Sequence, residues 1–486
     1  MIYNAQMPND KLFPIAVDLD GTLLLTDTLH ESCLQLLRSF PIYILLIPFY
    51  LFFGKAYLKE WIAQRVILNP STLPYNRKLI AWLKKQKKIG HRLILCTATN
   101  YRFANAAAAY LNLFDEIIAS DSQNNLSGSN KEKALIERFG KRKFIYVANS
   151  NIDLKVWRSA AQAVVVTANA ALLKKVALIS KVTKTIPPPA ITFKTWIQVF
   201  RIHQYLKNIL LFMPLVAAHQ ISQIGSLSLL FLAFTSFSFC ASSVYITNDL
   251  IDLENDRQHP RKRNRAFAAG LIPIKYGITL ALISFLTSLI LASLIGTQFI
   301  TWLFAYFIIA MSYSIIIKKI VLLDCLTLAL LYTLRIIAGA SVNSIVLSTW
   351  LLAFSIFLFL SLAFVKRYAE LKGQILQGKT RAVGRGYQVD DLSIIQTLGI
   401  VAGYAATLVL ALYLNSETVV SLYANPQLIW MAVPLMVFWV SWMWLKAHRG
   451  EMHDDPIEFV IQDKTSLAIG SFLIAIFIVA SNWLNT

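Results

Sequence analysis

The stretch Tyr245–Gly270 reads YITNDLIDLENDRQHPRKRNRAFAAG. It follows about twenty almost wholly apolar residues, a length that crosses a bilayer. Asn248, Asp249, Asp252 and Asp256 form the pattern N-D-x-x-D-x-x-x-D. On a helix, positions i, i+3 and i+7 share one face. Carboxylates crowded on one face repel unless a cation sits among them. Hard oxygen ligands suit Mg²⁺, which keeps waters and bridges to phosphate oxygens. Arg257, Lys262, Arg263 and Arg265 follow directly, and such cations suit a phosphate-rich ligand. The bland alternative is a solvated loop with incidental acids. It is disfavoured because carboxylates beside a bilayer are costly and mostly functional.

Composition agrees with a membrane setting. Of the 486 residues, 56% are apolar and the mean hydropathy is +0.56, too high for an ordinary soluble enzyme. The net charge of +20 then reads as basic loops rather than nucleic-acid binding, because no basic stripe lies on a nucleic-acid fold. Cys33, Cys96, Cys240 and Cys325 are scattered, which predicts neither a disulfide framework nor a zinc site. The polar N-terminus MIYNAQMPNDK leads into a strand pattern, so no cleavable signal peptide is expected.

The chain has two grammars. Residues 1–180 alternate short apolar strands (PIAVDLDGT, HRLILCTAT, KFIYVANS) with helical stretches, which predicts an α/β domain with a parallel sheet. Residues 40–54, FPIYILLIPFYLFFG, depart from this pattern. They are short for a span and read either as a buried helical hairpin or as a patch that dips into the membrane surface. Residues 181–195 hold the prolines Pro187–Pro189, a semi-rigid linker. The basic, amphipathic FKTWIQVFRIHQYLKN follows and is expected at the interface.

From 196 to 486 the pattern is all-α and polytopic, with about nine apolar segments near spanning length. They are 205–219, 227–247, 273–293, 299–317, 320–340, 346–365, 394–414, 427–446 and 465–483. With the N-terminal domain cytoplasmic, the outer connections 219–226, 294–298, 341–346 and 415–427 and the tail 484–486 contain no Lys or Arg. The inner ones carry RKRNR, IKK, KRYAELKGQILQGKTRAVGRG and KAHRGEMHDD. Every turn obeys the positive-inside rule.

The Asp-rich stretch resembles the first Asp-rich motif of the UbiA-type prenyltransferase superfamily, over roughly residues 196–486. The resemblance implies nine helices, with Mg²⁺ and a pyrophosphate at this motif. Aromatic prenyltransferases of that superfamily carry a second D-x-x-x-D after the sixth helix. Here FVKRYAEL stands at that place. RIHQYLKN, YSIIIKKIVLLDCLTLALLYTLRIIAGA, KRYAEL and HRGEMHDDPIEFVIQDKTS are similar to the branch that makes polyprenyl-phosphate phosphoribose. That branch implies phosphoribosyl pyrophosphate as donor and a polyprenyl phosphate as acceptor and nucleophile.

The expected metal ligands are Asp249, Asp252 and Asp256, with Asn248 assisting and Asp249 and Asp252 counted as catalytic. Arg257, Lys262, Arg263, Lys366 and Arg367 are expected on phosphates. Lys207 either holds the lipid phosphate or is an interfacial anchor. Tyr368, Glu370, Arg385 and Tyr387 are expected at the ribose or its 5-phosphate. Arg335 either faces the pocket or pairs with Asp324. Asp454–Pro456 and Asp463 either close the site or cap the last helices. One departure is Arg265-Ala266, where the family pattern often reads R-P.

In the N-terminal half, VDLDGTLLLTD resembles the opening motif of the haloacid dehalogenase-like (HAD-like, Rossmann-like) phosphatases. The resemblance implies Asp18 as nucleophile and Asp20 as general acid/base, both beside Mg²⁺. It implies Thr97 as a phosphate-binding hydroxyl and Lys131, with Lys133 a poorer candidate, as the stabilising lysine. In YVANSNIDL, Asn149 replaces the usual first acid and Ala148 the usual Gly, while Asp153 is kept. A neutral Asn149 weakens the metal site.

Transfer from phosphoribosyl pyrophosphate leaves a 5-phosphate on the lipid-linked ribose, which a phosphatase on the same membrane face would remove. The resemblance implies a multi-pass protein of a bacterial inner membrane with both activities on the cytoplasmic side. The alternatives are an aromatic prenyltransferase with a regulatory or inactive HAD domain, and a transporter, for which the near absence of midspan charges is a poor match. Polyprenyl length and oligomeric state are not written in the sequence.

Overall fold

Ile15–Val17 is a run of three apolar residues buried on both faces, and this is β1. Such runs suit a sheet covered by helices on both sides. β2 (Leu93–Asn100), β3 (Glu116–Ser120), β4 (Ile145–Ala148), β5 (Gln162–Val165) and β6 (Lys181–Thr185) complete a wholly parallel sheet in the order β3-β2-β1-β4-β5-β6. β1 pairs with β2 through Val17–Leu95 and with β4 through Val17–Val147. The strand order therefore reverses around β1, and open parallel sheets bind ligands beyond the carboxyl ends of strands at such a switch point. Asp18 is the first residue past β1. This is the parallel α/β architecture expected from the alternation of strands and helices.

The computed structural model describes residues 12–219, 224–376, 385–416, 419, 423, 425–452 and 455–481. They form two compact units, Met1–Phe200 with Asp249–Leu280 and Arg201–Asn248 with Ala281–Thr486.

In the first unit, α1 (Thr28–Ser39) starts at Asp27, whose carboxylate accepts from the Leu29 and His30 amides, an ordinary N-cap. A 3₁₀ turn (Pro41–Leu46), α2 (Ile47–Phe52) and α3 (Lys55–Ala63) follow. Leu36, Leu58, Trp61, Ile62 and Val66 make a small core beneath them, with Ile47 and Tyr50 packed on it. The buried-hairpin reading of residues 40–54 is corrected here. Ile42, Leu45, Phe49, Phe52 and Phe53 face outward, because this core is already filled by residues of α1 and α3.

Among the described residues, seven helices are long and apolar enough to span a membrane: Ile224–Ile251, Ile274–Ser293, Thr297–Ile315, Leu323–Val342, Thr349–Ile375, Val389–Leu414 and Pro426–Arg449. The pair Pro456–Gln462 and Lys464–Ala480, bent by 83°, makes an eighth if counted as one span. About nine were expected; seven, or eight with the bent pair as one span, meet that length and composition among the described residues. Segment 205–219 folds as a 3₁₀ helix, Ile202–Phe212, running into a short α-helix, Met213–Ala217. Its register with the helix Leu323–Val342 depends on Gly339, where a Cβ would lie 2.0 Å from the Leu211 carbonyl oxygen. Small residues allow such close backbone approach between membrane helices.

Candidate active sites

The first cluster sits at the carboxyl ends of β1, β2 and β4. Gly21 turns the chain back at φ +70°, and a Cβ there would lie 2.3 Å from Asn149 Nδ2, so only glycine lets the Asp18–Asp20 loop close against Asn149. Lys131 Nζ donates to Asp18 Oδ1 (2.7 Å) and to the Tyr146 hydroxyl (3.1 Å), and lies 3.7 Å from Asp153 Oδ1. Tyr146 in turn donates to Asp153 Oδ1 (2.8 Å), and Ser150 Oγ to Asp153 Oδ2 (2.6 Å). Asp20 accepts from the Thr28 amide at the start of α1 (2.8 Å), from Thr28 Oγ1 (3.2 Å) and from Thr99 Oγ1 (2.6 Å).

Burial pushes the Asp18 carboxyl up to about 7; Lys131 opposes the rise and Asp153 adds to it. Burial, with Asp27 adding, pushes Asp20 up to about 6 against its bonds from Thr99 and Thr28. Burial opposes the Lys131 charge, but Asp18 and Asp153 overcome it and push the pKa up. The result is one buried cation held among acids, the arrangement needed to neutralise a phosphoryl group in flight.

Thr97 is buried in β2, and its Oγ1 accepts from the Thr99 amide (3.1 Å). Lys133 lies on the same helix as Lys131, Ser129–Phe139, but only Lys131 is among its buried residues. Lys59 of α3 was not anticipated. Its Nζ donates to the Ala98 carbonyl (2.5 Å) and to Asn125 Oδ1 (3.0 Å). Burial lowers its pKa, while Asp20 and Asp27 pull the other way. Tyr146, Ser150 and Thr28 were also missed. Only Thr28 carried a sequence signal, as the first helical residue after a capping acid.

The Asp-rich stretch is organised differently from a single helical face. The helix Ile224–Ile251 stops, Asp252 lies between helices at φ −92°, ψ 10°, and a new helix runs Leu253–Gln258. Asp249 and Asp256 nevertheless converge, since Arg265 Nη1 donates to Asp249 Oδ1 (3.0 Å) and Asp256 Oδ2 (2.8 Å). Burial raises the Asp256 pKa, opposed by Arg265 and reinforced by Asp249. Among the described residues no three acidic, His or Cys side chains form a ready metal cage. A cationic side chain lies between the carboxylates instead, Arg265 here and Lys131 in the first cluster. Asn248 Oδ1 accepts from Lys318 Nζ (3.4 Å). Lys262 and Arg263 are exposed on a 3₁₀ turn, Lys262–Asn264.

Arg257 corrects an expectation. Its guanidinium is not offered to a phosphate but forks onto Glu31 of α1 (Nη1–Oε2 3.0 Å, Nη2–Oε1 2.6 Å), with both side chains 6% exposed. Nε donates to the Ala268 carbonyl (3.0 Å), and Thr26 Oγ1 donates to Glu31 Oε1 (2.8 Å). Removing one member strands a buried charge. Arg257→Met is therefore expected to cost about 3–5 kcal/mol, and Arg257→Met with Glu31→Leu to regain much of it. Thermal unfolding of the purified protein reads both, and an unchanged midpoint in the single variant refutes the clamp.

In the second unit, Lys207 Nζ (2.5 Å) and Lys366 Nζ (3.1 Å) both donate to Asp455 Oδ2. Burial would raise the Asp455 pKa, but Lys366 and Lys207 hold the carboxyl well below the usual carboxylate range. Asp455 also caps the last helical pair through the Ile457 amide (3.1 Å). Asp463 is a cap, accepting from the Ser466 amide and Trp442 Nε1. Asp454 lies outside the described residues.

A separate buried hub surrounds Asp324. Arg367 Nη2 (2.9 Å), Arg385 Nη1 (3.5 Å) and the Tyr387 hydroxyl (2.5 Å) all meet its carboxylate. Glu370 pairs with Arg367 and Arg385, and Tyr368 shares a hydrogen bond with His448 Nδ1 (3.1 Å). Arg367, expected on a phosphate, is 0% exposed and is held by Asp324 and Glu370. Arg335 does not pair with Asp324. It donates to Asn208 Oδ1 (2.9 Å), Tyr306 Oη (3.0 Å) and the Leu331 carbonyl (2.5 Å). Lone intramembrane charges need such partners, and which partners they find depends on helix packing.

A six-stranded parallel α/β domain and a set of long apolar helices with an acidic motif define a multi-pass membrane protein. Residues 209–463 match the model of the UbiA prenyltransferase family, and the chain belongs to that family. It is 33% identical over 481 residues to "Uncharacterized protein y4nM" of Sinorhizobium fredii, which covers 97% of this chain and 92% of that protein. It is 33% identical over 280 residues to "Nodulation protein NoeC" of Azorhizobium caulinodans, over 57% of this chain and 90% of that one. It is 34% identical over 188 residues to "Decaprenyl-phosphate phosphoribosyltransferase" of Mycobacterium tuberculosis, over 38% of this chain and 62% of that one.

Proposed function

We propose that the membrane half, 196–486, transfers 5-phosphoribose from phosphoribosyl pyrophosphate to a polyprenyl phosphate. The observation that carries this reading is the junction of Lys207 and Lys366 on Asp455. Cations stand where the aromatic branch would carry a second acidic motif, and cations suit an anionic acceptor. The relatives named decaprenyl-phosphate phosphoribosyltransferase support the same reading.

Oxygen donors that already converge on one positive charge, as Asp249 and Asp256 do on Arg265, fit a divalent cation. Asp249, Asp252 and Asp256, with Asn248, would hold Mg²⁺, which neutralises a leaving pyrophosphate. Lys262 and Arg263 would bind the donor's phosphates, and Lys207 and Lys366 the lipid phosphate that attacks the anomeric carbon. Arg335, Arg367, Tyr368, Glu370, Arg385 and Tyr387 would position the helices behind these groups. Lys207→Met and Lys366→Met are each expected to raise KM for the polyprenyl phosphate about tenfold, a loss of about 1.4 kcal/mol of binding. KM for the ribosyl donor is expected to change little, and equal rises for both substrates would refute the assignment.

The α/β domain, expected over 1–180 and extended by β6 to Thr185, would act as a phosphatase, joined through the rest of the linker to 195. Asp18 would attack the 5-phosphate of the lipid-linked product, and Asp20 would give a proton to the departing ribose O5. Water would then free the phosphate. Asp18 and Asp153 are oxygen donors around the buried Lys131 cation, and with Asp20 and Asn149 they would hold Mg²⁺, which would supply charge neutralisation. Thr97 would meet the phosphate, and Lys131 would stabilise it. We place both activities on the cytoplasmic face of a bacterial inner membrane, supported by the Lys/Arg bias of the connections.

The test incubates purified protein with Mg²⁺, radiolabelled phosphoribosyl pyrophosphate and a polyprenyl phosphate. Label entering the lipid phase supports the transfer. No label with any chain length refutes it, and a prenyl pyrophosphate donor with an aromatic acceptor is then the next assay.

A further inference from the structure

Residues 40–57 carry an apolar face that neither proposed activity uses. The 3₁₀ turn Pro41–Leu46 and α2 together run twelve residues, too few to cross a bilayer. Ile42 is 74% exposed, Leu45 76% and Phe52 91%, with Phe49 and Phe53 beside them. The segment is nevertheless firmly seated. Tyr50 stacks on Trp61 at 4.2 Å between ring centroids and on Tyr57 at 6.1 Å, while Ile47 and Tyr50 pack on the core beneath. An anchored element whose largest apolar side chains point outward is built to meet an apolar partner.

Three observations select the partner. Among the described residues seven or eight helices are long and apolar enough to span a membrane, so a bilayer is always tethered to this domain. From Ser32 to Lys59 there is no Asp or Glu, while Arg38, Lys55 and Lys59 are basic, so nothing in the segment repels anionic headgroups. Tyr43, Tyr50 and Tyr57 alternate with the Phe, Leu and Ile side chains, the mixture that rests at the headgroup level.

We propose that residues 40–57 are a monotopic membrane-surface anchor, with Ile42, Leu45, Phe49, Phe52 and Phe53 immersed at the headgroup–acyl boundary of the bilayer. The anchor holds the phosphatase-type domain against the lipid surface. The proposal stands whichever substrates the two catalytic domains take.

The test uses full-length protein in nanodiscs of phosphatidylethanolamine and phosphatidylglycerol. Cys33 is replaced by Ser, since the other three cysteines are buried. Nitroxide labels are placed singly at Leu45→Cys, Phe52→Cys and, as a control, Leu178→Cys, a residue 86% exposed just past the helix Ala170–Ala177 of the same domain. Collision rates with oxygen, which concentrates in lipid, and with a water-soluble nickel chelate are then compared. Oxygen is expected to dominate at 45 and 52 and nickel at 178. Nickel dominating at 45 and 52 overturns the proposal. So does protection from both reagents with spin–spin broadening between copies, which would assign the face to a second copy of the chain.

Discussion

Asp18→Asn is expected to abolish phosphate release while leaving ribosyl transfer intact. The substitution keeps the shape of a side chain that is buried and bonded to Lys131 but removes the proposed nucleophile. Losses of at least about 10³-fold are usual when a covalent nucleophile is removed. Labelled lipid should then accumulate with its 5-phosphate retained, whereas the unsubstituted protein yields the dephosphorylated form. Retention of the 5-phosphate by both proteins would sink the serial scheme and leave the transferase standing. Loss of the 5-phosphate in both would show that another group does the hydrolysis.

Asp249→Asn is expected to reduce transfer into the lipid phase by about 10²–10³-fold, the order seen when one electrostatic stabiliser of a developing charge is lost. Asp249 and Asp256 share Arg265, so the amide would disturb the proposed cation site without emptying the helix end of side-chain volume. Thermal unfolding should shift little, and phosphatase activity supplied with a soluble phosphate ester should persist. The two readouts separate loss of chemistry from loss of fold. Transfer within a few-fold of the original would remove the Asp-rich motif from the mechanism. Asp256→Asn should behave similarly, since Arg265 bonds both carboxylates at about the same distance.

Much of the architecture was legible in the sequence because it rests on local rules. Short apolar runs ending in D-x-D-G-T predicted strands with acids at their carboxyl ends, and the parallel sheet places Asp18 at the switch point beside β2 and β4. Apolar length identified the long spanning helices. The segment 205–219 was misjudged because composition alone does not reveal a 3₁₀ helix, Ile202–Phe212. Residues 40–54 were ambiguous for a related reason. An apolar run says that something will cover it, not whether the cover is protein or lipid.

The residue types at the candidate sites belong to the sequence, but their partners do not. That acids, lysines and arginines would be needed near phosphates followed from charge. That Arg257 would be given to Glu31 at a separation of 226 positions did not, nor did the meeting of Lys207 and Asp455 across 248. Arg335 and Arg367 are both buried cations, yet one is held by Asn208 and Tyr306 and the other by Asp324. A buried charge must find a partner, and this requirement is written in its chemistry. The choice of partner is made by chain packing, which brings distant positions within hydrogen-bond reach, and only the tertiary structure decides it.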